Sequence, residues 1–109
     1  MASDSSSEPG VLSLEGEIDL HASPRVKEQL EPLIARKLPR LVIDMSLVSY
    51  IDSSGLALFI ETLQRVQAYG GKFALCGLGP SVRNIFDISR LDQVFTIFPD
   101  RDTALSATT

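Results

Sequence analysis

An α/β fold is predicted, a single domain with a mostly parallel sheet of four to five strands and about four helices, and three observations predict it. Apolar runs of strand length alternate with stretches of helical spacing along the whole chain. Two of those runs, Leu41-Val42-Ile43 and Phe73-Ala74-Leu75-Cys76, are apolar at every position, as strands covered on both faces are. The resulting order of strand, helix, strand, helix, strand, helix, strand implies right-handed crossovers between parallel neighbours. A chain of 109 residues can build one modest core but not two, and no internal repeat is visible.

Residues 1–10 are rich in Ser with Asp, Glu, Pro and Gly, too polar to bury themselves, so a flexible leader is expected there and the domain over 11–109. From Val11 the pattern alternates. Leu12, Leu14, Gly16, Ile18 and Leu20 fall on one side and Ser13, Glu15, Glu17 and Asp19 on the other, which predicts a strand with one wet face. Ser23-Pro24 is a helix entry with Pro in the first turn. Val26, Leu30, Leu33 and Ile34 follow at helical spacing, and Pro32 is expected to kink or weaken that helix.

The buried strand near residues 41–45 leads to a second helix, which Gly70-Gly71 stops before the strand Phe73-Ala74-Leu75-Cys76. A short helix over 80–88, a strand over 94–98 and a helix from Arg101 complete the chain. At about 100° per residue, Leu56, Phe59, Ile60, Leu63 and Val66 share one face of the second helix and should meet the sheet. Leu58 lies off that face beside Glu61, Thr62 and Arg65, and is expected to project into solvent.

The net charge of −4, with ten basic residues scattered rather than clustered, argues against nucleic-acid binding and suits a basic or neutral protein partner. The lone Cys76 sits in an apolar run, where it reads as a small buried hydrophobe. It permits no internal disulfide and fits a reducing compartment. No apolar run approaches the ~20 residues of a membrane span, so a cytoplasmic protein without a membrane role is expected.

Signals of unaided chemistry are lacking too. His21 stands at a helix entry as a surface or capping residue, and no Gly-x-Ser-x-Gly elbow is present. Val66 occupies the position of the first Gly of a P-loop ending at Gly71-Lys72. Val82 stands where a dinucleotide fingerprint starting at Gly77 needs its third Gly. Neither an enzyme nor a cofactor site is expected, and nothing in the spacing brings Asp19 and Asp44 together as a carboxylate pair.

The most informative stretch is Val48-Ser49-Tyr50-Ile51-Asp52-Ser53-Ser54-Gly55-Leu56, where composition changes abruptly from apolar to small and hydroxylated. That change marks a helix N-terminus at the end of a strand, with Asp52, Ser53 and Ser54 all able to accept from the unpaired N–H groups of the first turn. Such a start also favours a bound or covalent phosphate. Taken alone, Asp-Ser-Ser reads as a simple cap more readily than as a phosphate site.

Read from Leu41 to Leu56, the segment resembles the signature of STAS domains, in particular the phosphorylatable anti-sigma-factor antagonists of bacterial partner-switching systems. Gly16-Glu17-Ile18-Asp19 is similar to the family's Gly-Glu-hydrophobic-Asp turn. The run from Cys76 through Pro80 and Phe86 to Ile88 is similar to its third-helix region. Most of the chain is covered in the family's order and spacing, although the additional short strand with which members usually begin has no clear counterpart.

The resemblance implies a fold, a site and a set of partners. Ser53, the first hydroxyl after Asp52, is the phosphorylated residue, with Ser54 supporting the turn and Gly55 allowing a close approach. Asp19 comes near the serine. The implied partner-binding surface comprises Asp19, Asp52, Ser53, Ser54, Gly55, Leu56 and Leu58. The implied partners are an ATP-binding anti-sigma-factor serine kinase and a metal-dependent serine phosphatase. A non-phosphorylated STAS adaptor subunit of a transport or scaffold complex, with the serine only a cap, is the alternative.

Overall fold

The computed structural model describes residues 9–107, so the leader expected over residues 1–10, and any added first strand within it, falls largely outside the described residues. The elements are β1 (Gly10–Ile18), α1 (Ser23–Ala35), β2 (Arg40–Ile51), α2 (Ser53–Ala68), β3 (Lys72–Cys76), α3 (Pro80–Ile88), a 3-10 turn (Leu91–Gln93), β4 (Thr96–Phe98) and α4 (Arg101–Ser106). All strand pairs are parallel, and the strands lie side by side in chain order, β1-β2-β3-β4.

The doubly apolar runs are explained by cover on both faces of the sheet. Leu41, Ile43, Met45, Phe73 and Leu75 face the main core, which Val26, Leu30 and Ile34 of α1, Phe59, Leu63 and Val66 of α2, and Val82 and Phe86 of α3 complete. Val42 and Cys76 point the other way and pack with Ala104 of α4. A chain of packed rings runs through the main core, edge-to-face from Phe59 to Phe73 and from Phe86 to Phe95 and tilted between Phe73 and Phe95, tying α2, β3 and α3 together.

β2 is longer than its neighbours. Its first residues, Arg40 to Asp44, pair with β3, but beyond Asp44 it pairs only with β1, as far as Ile18 opposite Ile51. The two strands therefore run on as a ribbon past the rest of the sheet, and α2 starts at the ribbon's tip.

Three expectations need correction. Leu20 does not continue the buried side of β1: the strand ends at Ile18, Asp19 folds the chain into a turn, and Leu20 is 67% exposed. Leu58 does not project into solvent: it is 8% exposed, and the buried arc of α2 runs through Gly55, Leu58, Phe59, Thr62, Leu63 and Val66. The cause is tertiary. α1 lies alongside α2 and covers that flank, bridged by Arg65 to Glu31 at 2.7 and 3.1 Å, so Leu56 and Ile60 become the half-exposed margin. The last strand is shorter than residues 94–98, because the 3-10 turn ends at Gln93 and leaves Val94 half-exposed ahead of Thr96. Pro32 sits inside α1, which runs on for only one more turn before Lys37 adopts a φ of 52°.

Candidate functional site

Two loops meet at the tip of the β1–β2 ribbon. The first is an Asx turn in which Asp19 Oδ1 accepts from the N–H groups of His21 (3.1 Å) and Ala22 (3.0 Å), while its carbonyl accepts from Ser23 N and Oγ. These bonds start α1 without a conventional side-chain cap. The loop that Asp19 opens is tied to the start of α2 through Leu20 N, and the Asp19 carboxylate itself is used by its own turn.

The second loop is organised by Asp52. Its extended backbone, with φ −108° and ψ −173°, turns the carboxylate back over the first helical turn. Oδ1 there accepts from Ser54 N at 2.9 Å and Gly55 N at 3.2 Å. Oδ2 accepts from Leu20 N at 3.2 Å, and the Asp52 N–H donates to the Ile18 carbonyl at 3.1 Å. One aspartate thus caps α2 and fastens the neighbouring loop to it.

Gly55 is required by the same closeness. A methyl group there would lie 2.7 Å from Ile51 Cγ1 and 2.8 Å from the Ile18 carbonyl oxygen, and the latter is backbone that cannot swing away. Ser54 is half-buried against this contact, whereas Ser53 is exposed. Among the described residues, the Ser53 hydroxyl has no hydrogen-bond partner, while the N–H groups of Ser54, Gly55 and Leu56 are all taken by Asp52.

The surroundings are anionic and apolar. None of the ion pairs among the described residues involves Asp19 or Asp52. Glu15 and Glu17 stand exposed on β1, with Leu47 and Tyr50 exposed across from them on β2. Leu20 is the residue that reading the sequence missed. An apolar side chain following an Asx turn and preceding a Pro-started helix is a signal for exposure, and this one borders Asp52.

The remaining candidates lie elsewhere. Asp44 accepts from Ser46 N at 3.0 Å; it does not end its strand, as β2 runs on to Ile51, but it is the last β2 residue paired with β3. It also pairs with Arg101 Nη2 at 2.9 Å and Nε at 3.1 Å, on the α4 face and away from Asp19. Burial pushes the Asp44 carboxyl up, but the Ser46 bonds and the Arg101 guanidinium outweigh it and hold the group below its ordinary value. Cys76 is fully buried as expected, and burial with the nearby Asp44 carboxylate pushes its thiol up to about 11. It is therefore protonated and inert at neutral pH. His21 is exposed. Among the described residues, no group of three or more His, Cys, Asp or Glu is placed to hold a metal, and no helix is long and apolar enough to cross a membrane.

The chain is similar to known proteins over most of its length. The STAS domain family model matches residues 2–104, and the chain belongs to that family. Among curated relatives, an anti-sigma-B factor antagonist from Bacillus subtilis is 36% identical over 86 residues, covering 79% of this chain and 78% of the relative. An anti-sigma F factor antagonist from Paenibacillus polymyxa is 29% identical over 97 residues, covering 88% and 83%. The crystal structure of an anti-sigma factor antagonist from Mycobacterium paratuberculosis superposes with a TM-score of 0.82 at 32% identity, covering 90% of this chain and 83% of that one.

Proposed function

We propose that the protein is an anti-sigma-factor antagonist that switches partners through phosphorylation of Ser53. The observation that carries this is the state of that side chain: an exposed hydroxyl without a hydrogen-bond partner among the described residues, in the first turn of a helix capped by Asp52. The names of the relatives supply the partner class, an anti-sigma factor.

Unphosphorylated, the chain docks the tip of the ribbon on an ATP-binding serine-kinase anti-sigma factor. The docking surface consists of Asp19, Asp52, Ser53, Ser54 and Leu56, held close to β1 by the buried Gly55, with Leu20 supplying the apolar anchor in place of the buried Leu58. The kinase then transfers the γ-phosphoryl group of ATP to Ser53 Oγ: the new O–P bond forms as the bond from the γ-phosphorus to the β,γ-bridging oxygen breaks, ADP leaves, and the hydroxyl proton passes to a base of the kinase or to water. About −1.5 to −2 charge arrives beside the Asp52 and Asp19 carboxylates. The helix start tolerates the phosphate, since the Ser53 N–H makes no hydrogen bond among the described residues and the macrodipole favours an anion. The interface does not tolerate it, because the charge must be desolvated against a surface that matched a neutral hydroxyl. A metal-dependent serine phosphatase resets the chain.

Incubation with the cognate kinase and ATP, followed by mass spectrometry of the peptides, tests the assignment. Phosphate on Ser53 alone is expected. Phosphate on Ser54 or on no residue contradicts it.

A further inference from the structure

At the opposite end of the sheet from Ser53 lies a cleft of about 420 Å³, within the size range of small-molecule sites. It exists because β4 is short. β4 pairs with Ala74 to Cys76 only, so Lys72 and Phe73 run past its end and leave a notch between the last turns of α2 and α4. Leu63, Phe73 and Phe98 form apolar walls, while Arg40, Gln67, Lys72 and Thr96 bring polar side chains to the same space.

The charge at this cleft differs from that of the whole molecule. The chain carries a net charge of −4, yet the charged side chains lining the cleft are the cations Arg40 and Lys72, and among the described residues neither is ion-paired. Arg40 donates from Nη1 to the Leu105 carbonyl at 2.8 Å, which fixes the guanidinium at the α4 side. Gln67, Lys72 and Thr96 make no side-chain hydrogen bond among the described residues. Two cations that are not ion-paired, and two neutral polar side chains without hydrogen bonds, among the described residues and above an apolar floor match a ligand that is anionic at one end and apolar along its body.

We propose that this cleft binds a small organic anion with an apolar body, a carboxylate or a phosphate ester, at a site separate from the Ser53 switch. The test is an amide-resolved NMR titration of the full chain with octanoate, octyl phosphate and uncharged octanol. Saturable shifts are expected at Gly70, Lys72, Phe73 and Thr96 with octanoate, octyl phosphate or both, and the arm that saturates at lower concentration identifies the headgroup. Octanol should bind at least about tenfold more weakly, the value of one charge-assisted contact. Lys72→Gln removes an exposed charge without touching the core and should weaken the better anion about tenfold. Arg40→Gln should do likewise, even though it also frees the Leu105 carbonyl. Equal binding of octanol, unchanged affinity in both variants, or shifts spread over the surface without saturation would overturn the proposal.

Discussion

The starts of α2 and α3 occupy equivalent places, each just beyond the end of an inner strand on the same side of the sheet, yet they are built differently. α3 begins at Gly79 with no side-chain cap, relies on Pro80 in its first turn, and leaves open space where a Cβ on Gly79 would go. α2 begins at Asp52, whose two carboxylate oxygens serve three N–H groups on two loops, and its Gly55 is pressed against β1 and β2. A helix start needs only one of these devices to be stable. Their combination at α2 holds one exposed serine at a fixed height above a rigid platform, which is what a modification site read by a partner requires.

That contrast can be broken in several places. The largest effect is expected from Ser53→Asp, which puts a permanent negative charge at the contact: calorimetric titration against the isolated anti-sigma factor should show at least about a hundredfold loss of affinity, with the melting temperature unchanged. Next comes Gly55→Ala, whose methyl group meets the Ile18 carbonyl. Denaturant unfolding should show a loss of about 1–3 kcal/mol, whereas Gly79→Ala at the equivalent α3 start should cost far less. Asp52→Ala should cost about 0.5–2 kcal/mol in the same assay and speed hydrogen exchange at Leu20, Ser54 and Gly55 together.

A smaller, pH-dependent effect is expected away from both helix starts. The folded state holds the Asp44 carboxyl below its ordinary value of 3.8, so the stabilisation from its Ser46 and Arg101 bonds is present in full above that value. It is lost as the pH falls through the depressed folded value. Unfolding measured from pH 6 down to pH 2 should show this decline, and Asp44→Asn should flatten it. The smallest effect is expected at α3, where Ser81→Ala on the exposed first turn should change stability by less than ~0.5 kcal/mol and leave partner binding as it was.

The same contrast explains what was legible in the sequence. Asp52 and its serines announced a helix start because capping is local, decided within three residues. The alternating β1 and the doubly apolar β2 and β3 announced a covered parallel sheet for a similar reason. What local pattern could not carry was the placement of α1 against α2. The apolar stripe of α2 predicted burial centred near Leu63, but the flank held by Glu31 and Arg65 turned the buried arc toward Leu58 and Thr62. Thr62 tolerates this because its hydroxyl donates to the Leu58 carbonyl at 2.8 Å.

The fastening of Leu20 N to Asp52 spans 32 residues and that of Arg101 to Asp44 spans 57, so neither could be read from spacing. Leu20 was misplaced for a simpler reason. Alternation continued in the letters for two residues after the strand itself had ended at the Asp19 turn.

The central claim is tested most directly by following the complex of the chain with its kinase partner, by size-exclusion chromatography, before and after ATP is added. With Ser53 present the complex should dissociate as phosphate is incorporated, and with Ser53→Ala it should persist, because that hydroxyl makes no hydrogen bond among the described residues. Release of the Ser53→Ala chain on ATP addition, at the rate seen for the unaltered chain, would contradict the account.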